Sequence, residues 1–532
     1  MTAAPALSVT APVPSPNRRP SVTAAPALSV TRRPVRDRLP RPVAELDNSG
    51  RYRRVNPGGV EFGDSTGARR RHGTTAARHR GTAARNHGGA APGHAEAGPG
   101  HGGAGLALFG VIASRGRWRR EYQVRMSDDL TARTLTEAQL RDFVPVIWSA
   151  FYGDMRPDDL DLQLPLHDPD RTHGVFDGDT LIGGGSMLAR SMTLPGTGPV
   201  PIAAVTSVGV APDQRRRGAL STLMRAELHG LHDSGGEPVA ALWASEGGIY
   251  GRFGYGLASR RASMTVVRDA PFRADVDHGG ERVRLVDAEA AGPTMRKLLP
   301  EYASSRIGGI SRPEVAWEWK LTDPERDRGG ASAFRFAVLP DGYVRFRVKE
   351  NWDGRYGPEH EVRVGELVSL TPQAHAALWR FLSTLDLAGE VRYHNAPVDD
   401  PLPWMLENPR MVSVEVGDAL YVRLVDLDRA LVARGYSAEL DVVLEVSDDF
   451  CPWNAGRWRL SVDGSGAATV RRTDASPDLA CGATALGAAF LGSTRLTTLA
   501  AAGRVRELRR GALREATTAF AADHEPHCLD VF

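Results

Sequence analysis

The chain has 532 residues, enough for three domains of ordinary size, and its formal charge of +2 hides two opposed parts. Residues 1–125 hold 21 arginines, no lysine and 7 acidic residues, whereas residues 126–532 hold 45 basic and 57 acidic ones. Three cysteines exclude a disulfide framework, and the longest apolar run near the start, 106–113, falls far short of the ~20 residues of a membrane-spanning helix; the composition predicts a cytoplasmic protein with no membrane partner.

Residues 1–125 are rich in Ala, Pro, Gly, Arg and Thr, lack apolar periodicity, and repeat the segment TAAPALSVT at 2–10 and 23–31. Such a segment buries too little apolar surface to offset its ordering entropy, so it reads as a disordered, low-complexity basic extension. Two interpretations stand: a basic tail with a partner such as nucleic acid, or translated upstream sequence with Met126 as the true start. The leading reading expects no nucleic acid. The histidines of this segment (His72, His79, His87, His94 and His101) are irregularly spaced, with no cysteine among them, and do not read as a metal site.

From Met126 the pattern becomes globular and mixed α/β. Thr136 and Gln139 form a capping-box signature that predicts an amphipathic helix toward Tyr152. Asp177-Gly178-Asp179 predicts a hairpin, Pro195-Gly196 a further turn, and 200–210 a long apolar strand. A basic, glycine-containing loop follows, then a helix to about Ser234 ended by Gly235-Gly236, a buried strand at 239–243, a short helix and a final strand near 262–267. A charged linker at 269–281 precedes a second αβ unit. It has a strand at 282–286, a helix, a second helix announced by Ser311, Pro313 and Glu314, a hairpin at Pro340-Asp341-Gly342, a strand to about Ser369 and a helix from Thr371-Pro372. Pro401-Leu402-Pro403 marks a boundary. The last unit, from about Arg410, carries short strands, a turn at 463–466 and helices over about 486–521. The expected domains are therefore 126–278, 279–408 and 409–532, after the 1–125 extension.

Chemistry concentrates in two stretches. The first runs from Val205 to Leu220 as strand, tight loop and helix start. Such a loop leaves backbone N–H groups free at the positive end of a helix dipole, which makes an anion cradle. Gly218 lets the backbone approach a phosphate closely, and Arg215, Arg216 and Arg217 add charge suited to a pyrophosphate. Taken alone, this is equally an ordinary strand–turn–helix with solvated arginines. The second stretch, from Ser245 and Glu246 through Tyr250 to Gly256, follows the next strand. Taken alone, Tyr250 there is a packed aromatic.

Together the two stretches resemble the GCN5-related N-acetyltransferase (GNAT) superfamily. The run 239–256, followed in order by Asp341-Gly342-Tyr343 and the fragments at 400–403, 433–436 and 443–448, closely resembles the enhanced intracellular survival (Eis) family across about 126–532. The resemblance implies an α/β (α+β) architecture: a GNAT acetyltransferase domain, a second GNAT-like domain without cofactor, and a C-terminal sterol-carrier-like domain. It also implies assembly as a homohexamer. Acetyl-coenzyme A would be the cosubstrate, with Val208, Gly209 and Val210 offered to its pantetheine arm. Arg215, Arg216, Arg217, Gly218, Ala219, Leu220 and Ser221 would hold the pyrophosphate, and Ser245 and Glu246 would also bind the cofactor. Leu220 stands where the family pattern has Gly or Ala, which leaves the backbone donors in place.

The acceptor implied is a primary amine of a polyamine-like small molecule such as an aminoglycoside. Tyr250 would be the general acid and the α-carboxylate of Phe532 the general base. The reaction needs such a pair, because an ammonium must lose a proton before it attacks and the departing thiolate must gain one. A tyrosine with a reference pKa of ~10 keeps its proton at pH 7. Val531 stands where the family often has an acidic residue, with Asp530 before it. The alternatives are acetylation of protein lysine or N-terminal amines, and lipid binding by the sterol-carrier-like unit with the rest as scaffold. His524, His527 and Cys528 lack a fourth ligand and read as a polar surface turn. Asp154, Asp158, Asp159 and Asp161 follow the first helix, either at the substrate mouth or as a plain acidic loop.

Overall fold

The computed structural model describes residues 130–532 except Tyr356. The basic extension, its repeat and its histidines lie outside the described residues. Within them no helix is long and apolar enough to cross a membrane.

The first sheet begins with β1 (Leu130–Thr134), β2 (Thr172–Asp177), β3 (Thr180–Leu194) and β4 (Gly198–Val210), an antiparallel series. Helix α1 (Glu137–Ala150) starts at Thr136, whose side chain accepts from the Gln139 N–H while Gln139 reaches back to the Thr136 N–H. It packs on β3 and β4. After α2 (Pro157–Gln163), α3 (Ala219–Asp233) buries Leu223, Met224, Leu228 and Leu231 against the strands. β5 (Val239–Trp243) then lies parallel to β4. β6 (Gly256–Leu257) follows.

β7 (Arg260–Val267) leaves this sheet. It lies between the last two strands of a second sheet built from β8 (Arg284–Val286), β9 (Arg335–Leu339), β10 (Gly342–Lys349), β11 (His360–Ser369), β12 (Ala388–Ala396) and β13 (Val412–Asp418), in the order β13-β7-β12-β11-β10-β9-β8. Helices α4 (Ala288–Ser305), α5 (Glu314–Leu321), α6 (Pro372–Ser383) and the short α7 (Leu402–Met405) accompany it. The cap of α5 is Pro313 rather than Ser311. β14 (Leu420–Leu424) crosses back and inserts between β5 and β6 of the first sheet. All five of its residues are buried. The two sheets thus exchange strands, and 262–267, expected to complete the first unit, completes the second. The expected boundaries at 278/279 and 408/409 are each crossed by this exchange.

The third sheet, ordered β17-β16-β15-β18-β19, comprises β15 (Leu440–Ser447), β16 (Gly456–Val462), β17 (Ala468–Arg472), β18 (Leu479–Gly482) and β19 (Val505–Glu507). Its helices are α8 (Leu427–Ala433), α9 (Ala483–Ala489), α10 (Leu496–Ala501) and α11 (Ala512–Phe520). It starts after β14, later than the expected Arg410, and a strand interrupts the helical stretch expected over 486–521. Arg509 in the turn after β19 is paired with Asp478 and Glu515.

Helix α9 packs on β14 and β6 so closely that a Cβ at Gly487 would lie 2.3 Å from the Val422 carbonyl oxygen. Leu420, Val422 and Leu424 share one core with Leu444, Leu486 and Phe490 of the third domain. Each such side chain contributes roughly 1.5–3 kcal/mol by leaving water. Across the same contact Arg423 Nη2 meets Asp448 Oδ2 at 2.6 Å, with side chains 0% and 2% exposed.

Candidate active site

β4 and β5 pair only through Ala203, Ala204 and Val205 with Ala240, Ala241 and Leu242. β5 stops at Trp243 while β4 runs on to Val210, so the two strands part. On its other edge β4 carries a bulge. The register passes from Ser186↔Thr206 to Gly184↔Gly209, leaving Ser207 and Val208 opposite Gly185, with Ser207 at φ 51°. A bulge bends its strand and re-aims the local backbone, here toward the opening. The edge of residues 206–210 that faces away from β3 offers main-chain hydrogen-bonding groups with no strand opposite.

A pocket of about 440 Å3 occupies the split. Trp148 of α1, Thr206, Ser207 and Val208 of β4, Trp243 of β5 and Ser245 line it, and so do Tyr250 and Phe532. Residues 282 positions apart in the chain therefore share one cavity. Trp148 and Trp243 give it aromatic walls, a surface that attracts alkylammonium groups through the ring faces.

At the far end of β4, residues 212–214 form a 3₁₀ turn, Arg216 takes φ 66°, and Gly218 at φ 95° precedes α3. No side chain caps α3, and among the described residues the N–H groups of Ala219, Leu220 and Ser221 find no acceptor. Three unfilled donors at a helix start form an anion site. The arginines divide the work. Arg215 Nη2 donates to the Ala150 carbonyl at 2.6 Å and ties the loop to α1. Arg217 pairs with Asp177 at 2.7 Å. Arg216 is exposed and carries its charge outward.

Tyr250 opens the 3₁₀ turn Tyr250–Phe253 and is 6% exposed. Its ring meets that of Tyr255 edge-on at 5.8 Å. Burial, with the Glu227 and Glu246 carboxylates adding to it, pushes its hydroxyl up to about 12, so Tyr250 keeps its proton across the physiological range. Glu246 itself is exposed, at the turn after β5.

Glu227, which the sequence reading passed over, lies fully buried on α3 with neither carboxylate oxygen hydrogen-bonded. A Cβ on Gly185 would sit 3.0 Å from its Oε1 and 3.1 Å from Val208 Cγ2, which places the carboxyl directly beneath the bulge. Burial raises it to about 8. The sequence signal was present: position 227 falls one helical turn from both Leu223 and Leu231, on the apolar stripe.

Of the other acidic candidates, Asp154 and Asp158 are exposed, and two are engaged elsewhere. Asp159 is buried, accepts from the Arg156 N–H at 3.0 Å and pairs with Arg326. Asp161 faces Arg141 at 3.6 Å. His527 is buried and donates from Nε2 to the Asn395 carbonyl at 2.9 Å. His524 Nε2 accepts from the Ile307 N–H.

Comparison with known proteins agrees with this architecture. The family described as acetyltransferase (GNAT) domain matches residues 131–258, a second of the same description matches 308–424, and sterol carrier protein domain matches 427–529. An uncharacterized N-acetyltransferase of Streptomyces avermitilis is 43% identical over 377 residues, covering 69% of this chain and 91% of that protein. N-acetyltransferase Eis of Mycobacterium tuberculosis is 38% identical over 359 residues, covering 66% and 85%. The crystal structure of Eis1 from Mycobacterium abscessus superimposes with a TM-score of 0.67 at 33% identity, covering 75% of this chain and all of that one. The chain is thus an N-acetyltransferase of the Eis family, with two GNAT domains and a C-terminal sterol-carrier-like domain.

Proposed function

We propose that the protein moves the acetyl group of acetyl-coenzyme A to a primary amine of a polyamine-like small molecule, aminoglycosides included. The observation that carries this reading is the meeting of Tyr250 and Phe532 in one pocket at the strand split. The backbone of Val208, Gly209 and Val210 would receive the pantetheine arm, as an added strand pairs with a free edge. The N–H groups after Gly218 would hold the pyrophosphate, with Ala219, Leu220 and Ser221 as donors. Arg216 would supply charge, and Arg215 and Arg217 would fix the loop. Ser245 and Glu246 lie at the turn leading to Tyr250.

Tyr250 would donate a hydrogen bond to the sulfur as negative charge develops there, and then its proton. The terminal carboxylate of Phe532 would accept a proton from the incoming ammonium, directly or through one water. A cavity of about 440 Å3 with two tryptophan walls suits an amine on a compact molecule better than a lysine on a folded surface. We extend the family's homohexameric assembly to this chain as part of the same reading.

The test is coenzyme A release from acetyl-coenzyme A with kanamycin, spermidine and a lysine peptide as acceptors. Both small amines should outpace the peptide, and Tyr250→Phe should lower kcat by ~10²-fold or more at nearly unchanged acetyl-coenzyme A affinity. Faster turnover of the peptide would reverse the acceptor assignment. Full activity of Tyr250→Phe would remove the acid.

A further inference from the structure

The second sheet repeats the design of the first. β11 and β12 are parallel neighbours joined through α6, as β4 and β5 are joined through α3. They pair from His360↔Ala388 to Val364↔Tyr393, after which β11 runs on to Ser369 and the strands part. Here the opening holds the chain's own C-terminal segment. Asn395 Nδ2 of β12 donates to the carbonyls of Cys528 and Leu529 at 3.1 and 3.2 Å. His527 bridges the Asn395 carbonyl and Tyr302 of α4. Leu529 packs with Leu298, Tyr343 and Val368, in the core between α4 and the sheet.

The next residue is gripped by charge. Arg312 Nε and Nη2 meet the Asp530 carboxylate at 3.2 and 3.3 Å, and Lys320 Nζ meets it at 2.9 Å. Arg312 is backed by Glu366 of β11 at 2.7 Å, and Glu366 by the Tyr343 hydroxyl at 2.6 Å. Trp243 of the first sheet donates to the Asp530 carbonyl at 3.2 Å, and Lys320 Nζ also donates to the Val531 carbonyl at 2.9 Å. Only Val531 and Phe532 lie beyond the grip, and two residues reach at most ~7 Å. The grip therefore bounds where the terminal carboxylate can be.

We propose that the strand split of the second GNAT domain serves as a holder for the C-terminal segment, and that Arg312 and Lys320, through Asp530, position the Phe532 carboxylate in the first domain's pocket. They are positioning residues, and the inference rests on the reading of that carboxylate as the base. It assigns the second domain a task in place of a second cofactor: the cleft that could admit a pantetheine arm is filled by residues 527–530.

Lys320→Met is the first variant, because it removes one cation and the Val531 contact while leaving Arg312 on Glu366. Asp530→Asn is the second, and Lys320→Arg the conservative control. The direct readout is release of Phe532 by carboxypeptidase A, followed by intact mass. Release should be ~10-fold or more faster in Lys320→Met and Asp530→Asn, and near wild type in Lys320→Arg. The catalytic readout is turnover of acetyl-coenzyme A with kanamycin and spermidine, beside a form lacking Phe532. Both variants should lose ~10-fold in kcat with the KM for acetyl-coenzyme A held within ~2-fold, and neither substitution should lower kcat further when added to the form lacking Phe532. Wild-type release rates in both variants overturn the holder. Fast release with undiminished kcat, while the form lacking Phe532 is inactive, overturns the positioning role alone. Full activity of the form lacking Phe532 overturns the base assignment, and the release rates still decide whether the split holds the tail.

Discussion

Glu227 is the sharpest physical test of the first domain. A carboxyl raised from 4.5 to about 8 binds its proton more tightly in the folded chain than in the unfolded one. Between those values the unfolded state gives up its proton first, so stability falls as pH rises, by ~1.4 kcal/mol per unit at full slope. Integrated from pH 5 to pH 7, that is on the order of 2–3 kcal/mol lost through this one group. Glu227→Gln cannot titrate. The variant has its own fixed cost, since an amide there also lacks partners, but that cost does not change with pH. The informative quantity is the difference between variant and wild-type unfolding free energies, taken from urea curves at pH 5, 6, 7 and 8. It should move in the variant's favour by ~2–3 kcal/mol from pH 5 to pH 7 and flatten above pH 8. A difference constant to within ~0.5 kcal/mol across that range would mean that Glu227 is hydrated or paired, and the dry floor beneath the bulge would have to be abandoned.

Glu366 should behave with the opposite sign. Burial works against its charge, but the Arg312 and Arg345 guanidiniums and the Tyr343 hydroxyl outweigh it and hold the carboxylate down to about 2. The wild type's advantage over Glu366→Gln should be complete above pH ~4.5 and fall away toward pH 2, by ~3 kcal/mol in acid-unfolding curves. Arg423→Met leaves Asp448 buried without its cation, and thermal unfolding should show a loss of ~3–5 kcal/mol. Gly487→Ala presses a Cβ against the Val422 carbonyl, whereas a Cβ at Gly248 meets nothing within 4 Å. Gly487→Ala should therefore lower the unfolding free energy by ~1–3 kcal/mol or more, seen as a lower melting temperature, and Gly248→Ala should not. Arg216→Ala should raise the KM for acetyl-coenzyme A about fivefold, the ~1 kcal/mol of an exposed charge, with kcat unchanged.

What could be read from the sequence was what neighbouring residues decide among themselves. The capping box at Thr136, the turn at Gly178 and the Gly218 entry to α3 all appear where local pattern put them. Tyr250, a packed aromatic when taken alone, stood out only through the family resemblance, and the fold sets it on the wall of the pocket. Strand exchange was not legible. A strand's alternation says that one face is buried, but not which sheet buries it, so β7 and β14 read as ordinary members of their own units. The partners of the arginines were not legible for the same reason: Arg215 donates to Ala150 and Arg217 pairs with Asp177, groups that only the fold brings close. Asp530 and Arg312 lie 218 positions apart, and nothing near either residue announces the other.

That distance explains why the reacting unit is larger than its acetyltransferase domain. β5 forms one wall of the split, and its second edge is covered by β14, which arrives only after the whole second domain. β14 in turn is buried by α9, and the Arg423 on it is neutralised by Asp448 of the third domain. The tail that completes the pocket leaves the third domain, crosses the second and ends in the first. A chain cut at the linker after β7 would keep the anion loop and Tyr250. It would lack the strand that flanks β5 and the carboxylate at Phe532, and β7 would be left without β12 and β13. In such an architecture the placing of Tyr250 and Phe532 around one pocket is set by packing across all three domains. Substitutions at their contacts, far from any reacting atom, should therefore appear as losses in kcat before losses in cofactor affinity.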